Sequence, residues 1–390
     1  MKEDRLSKIL IQAALVAAPL LWVGDASGHQ TVVDEAEYSV ESSQILALPE
    51  PIIVASGSAE VPIAGPGGLE SILGSDLVNF INGTNNDVLH GGFTKYAYGQ
   101  IAEGLLNVCE DRQDIQTECA DFIGKIAEAY LELAPADTDN LRNLGHHGNY
   151  LSNLNLILGA HKRITGSDEY EGLNERVTRH LANVSRSNNF HFPSYPNETE
   201  LWPSDQAFVI YTIHLFDQNH GTNISEPLIE GWKNYLASDA THQGTGLPIT
   251  DITRASAKSN IPSGSGTSYL ILYTSEFDPA QAREWWGAYK DDFLRNFPGP
   301  VAGFKEYHSG DYGSDVDSGP IILGVGASAT AFGIGAARSM GDMGLARELS
   351  NLVGFGNIYA SFVGGETEKV ANDVVAQAVK FNMSTQEENH

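Results

Sequence analysis

The chain has 390 residues, and its 23 basic and 50 acidic side chains leave a formal net charge of −27. So acidic a protein repels phosphate backbones, which argues against a nucleic-acid partner, while a 42% hydrophobic and 9% aromatic composition excludes global disorder. Two cysteines are too few for a disulfide scaffold or a cysteine-based zinc site.

At the N-terminus, Lys2, Arg5 and Lys8 precede the apolar run Ile9–Val23, which is broken by Gln12 and Pro19 and followed by the small residues Gly24, Ala26 and Gly28. That order reads as a cleavable export signal over residues 1–28 and places the protein in the periplasm or outside the cell. The acidic Glu3 and Asp4 in the head make an uncleaved membrane anchor the rival reading, although the run is short for a span. Residues 29–67, acidic at first and then rich in Pro, Gly and Ser without period, read as a flexible tether. The folded body is expected over 68–383, with 384–390 as a solvated tail. In an oxidising compartment Cys109 and Cys119, ten positions apart between two helical patterns, read as a disulfide closing a short loop.

Within the body the apolar spacing is helical. Ile123, Ile126, Ala127, Tyr130 and Leu131 share one helix face. Similar patterns cover Phe93–Val108, Tyr150–Ile164, Tyr170–Val184, Ala207–Phe216, Leu228–Leu236, Tyr269–Tyr273, Ala280–Phe293 and Ile321–Ala336, separated by turn-rich segments. Some helices are amphipathic, such as EGLNERVTRHL. Others, such as AFVIYTIHLF, are apolar all round and must be buried. Alternation of the two kinds predicts an all-α (α/α)6 toroid, an inner ring of helices sheathed by an outer one. A pocket in such a ring lies where inner-helix ends and long connections converge.

The familiar local motifs are missing. PSGSGTS lacks the lysine of a phosphate-binding loop, GVGASATAFGIG reads as close helix packing, and neither HExxH nor a G-x-S-x-G elbow occurs. The 311–319 segment DYGSDVDSG has carboxylates at calcium-like spacing without an EF-hand's closing Glu, so no metal is assigned. Two constellations carry candidate chemistry. Asp205, in Trp202-Pro203-Ser204-Asp205-Gln206, opens the most apolar helix: with Ser204 it is a candidate N-cap, and beside Trp202 it is a candidate general acid. Asp315 and Asp317, ahead of Ser318-Gly319-Pro320, are two carboxylates one residue apart, of which capping explains at most one. Asp205, Asp315 and Asp317 are therefore the catalytic candidates. Trp202, His147, Tyr150, Tyr96, Glu306 and Tyr307 are the candidates for the substrate-binding wall.

The series Tyr96-Ala97-Tyr98-Gly99, Leu154-Asn155-Leu156-Ile157-Leu158-Gly159 with Thr165-Gly166, Phe216–Gly221, Phe277-Asp278-Pro279, the acidic 315–319 segment and Ala337-Arg338-Ser339-Met340-Gly341-Asp342 resembles, in order and spacing over roughly residues 75–345, the linalool dehydratase/isomerase family. The resemblance implies an exported (α/α)6 barrel, assembled as a ring of like subunits and working without a cofactor. It does not bring the family's catalytic set. The family's pocket aspartate falls on Asn82, its tyrosine near Gly91, its histidine on Asn153 and one catalytic cysteine on Asp205, while its other cysteine finds no thiol here.

Three functions follow as expectations. The first is a cofactor-independent lyase or isomerase that breaks a C–O bond with carboxylates in place of thiols. The second is a glycoside hydrolase with paired aspartates. The third is a non-catalytic barrel that binds a ligand. A small molecule or a glycan is the expected substrate. Deletion of residues 1–28 is expected to leave a folded protein retained in the cytoplasm. Recovery of full-length chain from the membrane fraction, with Ile9–Val23 still attached, would instead identify an anchor.

Overall fold

The computed structural model describes residues 68–83, 92–110, 112–196, 200–253, 259–310, 312–314, 317–322, 324–363 and 374–387. The expected export signal and tether, and Asp315, lie outside these residues. Two short helices lead in, α1 (Leu69–Leu73) and α2 (Ser75–Ile81). There follow α3 (Gly92–Cys109), α4 (Gln116–Glu132), α5 (Gly148–Thr165), α6 (Glu171–Ser187), α7 (Pro203–His220) and α8 (Glu226–Asp239). The remaining helices are α9 (Gly264–Thr274), α10 (Pro279–Phe293), α11 (Ala327–Ser339), α12 (Met343–Val363) and α13 (Val374–Thr385).

From α3 onward the odd-numbered helices touch in cyclic order, α3–α5–α7–α9–α11–α13, and α13 returns to α3. The even-numbered helices pack outside this ring: α4 on α3 and α5, α6 on α5 and α7, α8 on α6 and α7, α10 on α9, α12 on α11, and α2 on α13. The protein is an (α/α)6 toroid, as the alternation of fully apolar and amphipathic helices predicts. Helix α7 buries Phe208, Val209, Ile210, Ile213 and Leu215 around its whole circumference because ring neighbours and the outer layer cover every face. Helix α6 instead buries one stripe through Val177, Thr178, Leu181 and Ala182, and leaves Glu175, Arg176 and Arg179 exposed.

Two devices hold the ring tight. Small residues let helices approach: a Cβ on Gly333 of α11 would lie 2.6 Å from the Phe304 ring, and one on Gly335 would lie 2.5 Å from Met383 Sδ of α13. Buried amides clip layers together. Asn155 of α5 donates to Thr212 O of α7 at 3.1 Å, and its Oδ1 accepts from Asn174 and Thr178 of α6 at 2.8 and 2.9 Å.

Two sequence expectations need correction. No helix starts at Ile321. Ile321–Ile322 (β3) pairs with Val325–Gly326 (β4) in a tight antiparallel ladder, Gly324 between them has φ 78°, and α11 begins only at Ala327. The β-branched pair and the left-handed glycine favour a hairpin over a helix start, and Gly326 takes the N-cap position of α11. A second hairpin joins β1 (Leu294–Phe297) to β2 (Val301–Phe304). The C-terminal boundary also moves, because Thr385 and Gln386 are buried, and Gln386 Nε2 donates to Asn382 Oδ1 at 2.8 Å. Among the described residues no helix is long and apolar enough to cross a membrane.

The disulfide is present. Cys109, ending α3, and Cys119, in α4, lie with Cα atoms 6.2 Å apart and are both buried. Replacing both by alanine should lower the unfolding free energy by about 2–3 kcal/mol, the loop-closure entropy of so short a loop. The readout is a lower urea midpoint at unchanged slope, and an unmoved midpoint would refute the assignment of stability to this cross-link.

Candidate functional site

At the end of the barrel where the inner helices begin lies a cavity of ≈ 20 Å³, room for a water molecule. Its polar wall is made of Asn149, Ser152 and Asn153 from the first turns of α5, with Ser194 and Asp205 beside them. Its apolar wall is made of Phe192, Phe208 and the ring of Tyr269.

The segment entering α7 is shaped by its neighbours. After α6 the chain turns through Asn189 and Phe190 at φ 52° and 59°, a left-handed conformation that is costly for phenylalanine. Gln206 Oε1 then accepts the Phe192 N–H at 2.7 Å, and the Asn149 N–H donates to Ser194 O at 2.9 Å. Gly148 permits that last contact, since a Cβ there would meet Pro193 O at 2.3 Å. The result sets the Ser194 hydroxyl against Asp205, to which it donates a hydrogen bond. The capping role expected of Ser204 or Asp205 does not occur: Trp202 is the N-cap residue, Pro203 occupies the first helical position, and α7 has no side-chain cap. Proline needs no partner for an N–H it lacks, and Asp205, in the first turn, meets the positive end of the helix dipole while its carboxylate turns to the cavity. Asn153, in the same polar wall, donates to Asn149 O at 2.8 Å, and its buried Oδ1, without a hydrogen-bond partner among the described residues, packs against Gly99 of α3, where a Cβ would stand 1.9 Å from it.

Beneath the cavity an aromatic column fills the axis. Phe208 lies 5.9 Å from Tyr269 and 4.7 Å from Tyr273, and Tyr269 lies 4.5 Å from Tyr273 and 5.1 Å from Phe332, between ring centroids. Burial, followed by the charges of Glu103, Asp205 and Asp317, holds the Tyr96 hydroxyl well above its usual range. Tyr269 is raised by burial and then by Tyr96, Asp205 and Glu103, so both phenols stay neutral. At the bottom of the column Glu103 of α3, 1% exposed, accepts from Tyr273 Oη at 2.8 Å, Asn382 Nδ2 at 2.8 Å and Gln386 Nε2 at 3.3 Å. Burial raises its carboxyl to about 7 against the pull of these donors.

The structure thus brings Asp205 into the cavity and sets Tyr96 within the field of both Asp205 and Asp317. Asp317 itself is solvent-exposed and does not line the cavity. The other expected wall residues lie elsewhere. Trp202 packs edge-on against Tyr195 at 6.4 Å, and His147 Nε2 contacts Asp137 Oδ1 at 3.0 Å. Tyr150 faces the outer layer, stacked on Tyr130 at 5.0 Å with Lys95 Nζ 5.2 Å from its ring centre. Buried Glu306 accepts from Ser265 Oγ at 2.7 Å at the start of α9, and Tyr307 donates to Gly313 O at 3.1 Å. These two tie the connection between β2 and β3 to the barrel and do not line this cavity. Sequence reading missed Ser194, Tyr269 and Glu103, and met Asn153 only as the position where the resembled family has a histidine. For Glu103 a signal existed: it is the single carboxylate in the otherwise uncharged run from Tyr96 to Cys109.

No protein-family model matches the chain, and no curated protein does, so the likeness to linalool dehydratase/isomerase rests on its short motifs alone. Among solved structures the chain is similar to the unsaturated glucuronyl hydrolase of Streptococcus agalactiae, with 14% identity, a TM-score of 0.34, and coverage of 66% of this chain and 80% of that one. A double mutant of that enzyme matches at 15% identity and a TM-score of 0.31, over 66% of this chain and 80% of that one.

A folded-state value for Glu103 raised from 4.5 to about 7 means that the native protein holds this proton more tightly than the unfolded chain. The group costs nothing below the unfolded value, destabilises progressively as pH rises towards 7, and has a constant cost on the order of 3 kcal/mol above it. Glu103→Gln, neutral at every pH, should therefore gain on the wild type by that amount between about pH 4 and about pH 8. Urea unfolding at both pH values measures the change, and a pH-independent difference would refute the raised value.

Proposed function

We propose that this toroid is a glycan-directed hydrolase in which Asp205 is the proton-transferring carboxyl. The observation that carries the reading is the half-buried Asp205 carboxylate, hydrogen-bonded by Ser194, facing a water-sized cavity with one amide-lined and one aromatic wall. A sugar ring has the same two-sided character, with C–H faces that stack on aromatic rings and hydroxyls that pair with amides and carboxylates. The cavity has room for the hydrolytic water, with the sugar bound above it at the mouth. Asp317 is the candidate second carboxyl, since its charge and that of Asp205 act on the same Tyr96 hydroxyl. Asp315 remains the alternative from the same segment. A lyase or isomerase of the linalool dehydratase kind calls for a dry apolar cavity, and Asn149, Ser152, Asn153, Ser194 and Asp205 make this one wet, so that reading ranks second. The cavity's small size favours one further reading, a filled barrel with a structural Asp205.

The test is a panel of 4-nitrophenyl glycosides, uronic-acid oligosaccharides and a tertiary allylic alcohol, offered to the wild type and to Asp205→Asn. Turnover of a glycoside that falls about 10²–10⁴-fold in the variant, at nearly unchanged melting temperature, supports the proposal. Turnover of the alcohol alone identifies a C–O lyase. No turnover of any compound, with Asp205→Asn markedly less stable, identifies the structural role.

A further inference from the structure

The connections that enter the inner helices, 133–147, 188–202, 240–263 and 294–326, are each longer than those at the other end of the barrel, 110–115, 166–170, 221–225, 275–278 and 340–342. They also hold every non-glycine residue at positive φ among the described residues: Asp139, Asn140, Leu141, Asn189 and Phe190. Long, strained connections on one face of a rigid ring are where binding surfaces are built. On that face stand the exposed aromatic side chains of the described residues, Tyr195 at 45% and Tyr312 at 39%. Each is backed at a steep angle by a less exposed ring, Trp202 at 6.4 Å and Tyr307 at 5.1 Å between centroids.

Of the two, Tyr195 is tied to the cavity. It follows Ser194, which donates to Asp205 and accepts the Asn149 N–H at 2.9 Å, so its Cα stands about 3.8 Å from that of a cavity-wall residue. Just upstream, Gln206 Oε1 holds the Phe192 N–H at 2.7 Å. Trp202 is the N-cap residue of α7, three positions before Asp205. The planes of Tyr195 and Trp202 meet at 80°, so Trp202 covers at most one face of the Tyr195 ring. Tyr195 lies outside the hydrophobic core, yet it rides on a clamped backbone. Such a ring loses little freedom when a ligand lands on it.

We propose that Tyr195, backed by Trp202, is a stacking subsite for one ring of a neutral glycan that lies across the mouth of the barrel. The inference rests on the glycan reading of the cavity and narrows its substrate. A cavity of ≈ 20 Å³ admits water and no pyranose, so the sugar has to be held outside it, on the rim that Tyr195 occupies. The C–H face of a sugar packs on an aromatic ring, while its hydroxyls remain in water or reach the amides below. Charge selects the neutral class. No basic side chain is among the described residues lining the cavity, so a sugar carboxylate would meet Asp205 without a cation to offset it. The chain as a whole carries −27, which repels a polyanion on approach. No bond is made or broken at this subsite.

The full-length wild type and Asp205→Asn are titrated with hexasaccharides of glucose (β-1,4 and α-1,4), xylose, mannose and N-acetylglucosamine, and with hexagalacturonate. Calorimetry gives the affinity. Spectra of ring-¹³C-labelled tyrosine give the contact, with Tyr195 assigned by Tyr195→Phe. At least one neutral hexasaccharide should bind and move the Tyr195 resonance. Its affinity should fall about three- to tenfold in Tyr195→Ala, at an unmoved urea midpoint, and be kept in Tyr195→Phe. Hexagalacturonate should bind more weakly than that sugar. The proposal is overturned if no hexasaccharide binds, if hexagalacturonate binds best, or if the bound neutral sugar leaves the Tyr195 resonance where it was. Should Tyr195→Ala fail to fold, the wild-type resonance decides alone. A wild type that binds a neutral sugar through Tyr195 and cuts none of them removes the hydrolase reading and leaves the subsite standing. One that cuts a sugar with Tyr195 silent removes the subsite alone.

Discussion

Everything in this fold hangs on one closure, the return of the last inner helix to the first. Asn382 of α13 and Gln386 just after it reach Glu103 of α3 across 279 and 283 residues of chain, and Gln100 joins them through Asn382 at 2.9 Å. Until that contact forms, α3 and α13 each present an uncovered apolar flank, and the barrel has no axis around which to place a cavity. A hydrophobic seam would close the ring at lower cost. Beside the packing of Phe381 on Gly104, the chain uses a carboxyl and three amides, all buried, whose donors and acceptors meet across the joint. Such a joint specifies register sharply, because a shifted α13 would leave Glu103 without partners in a medium that penalises a lone charge.

The same choice ties stability to the site. Glu103 at the joint, Tyr273 and Tyr269 above it and Asp205 at the mouth stand along one axis, so charge at any of them is felt by the phenols between. Tyr96 and Tyr269 are raised by both carboxylates, and burial is the largest cause for each. The aromatic rings keep the axis dry enough for those charges to matter, while the amides at the mouth keep it wet enough to admit a polar ligand. The helix starts that converge there add their positive dipole ends, and Asp205 sits in the first turn of α7.

Local strain is spent where it shapes the mouth. The left-handed Asn189 and Phe190 turn the chain so that Phe192 and Ser194 arrive beside α5, and the missing Cβ of Gly148 lets the two backbones meet. Gly99 of α3 has a similar part against Asn153: a Cβ there would stand 1.9 Å from Asn153 Oδ1. These are close approaches of backbone, and the residues concerned look unremarkable in the chain.

Read alone, the amino-acid order determined the alternation of wholly apolar and one-sided helices, and with it the double ring, because burial on every side or on one side is written in the spacing of Phe208, Ile210 and Leu215 against that of Val177 and Leu181. It also determined the Cys109–Cys119 bond, and it singled out Asp205 by setting a carboxylate at the start of the most apolar helix. The resemblance to a known family put a functional group at the same place without its chemistry. Only the tertiary structure decided which other residues share the cavity. Ser194, Asn153 and Tyr269 come from separate elements and match no local motif, whereas Trp202, His147, Tyr150, Glu306 and Tyr307 carry the right chemistry and point elsewhere. Orientation about a helix axis near its end depends on where the connecting loop arrives, and that is set by contacts such as Gln206 with Phe192 and Glu103 with Asn382. Contacts between residues far apart in the chain leave no periodic trace in it, and they decide what the barrel can do.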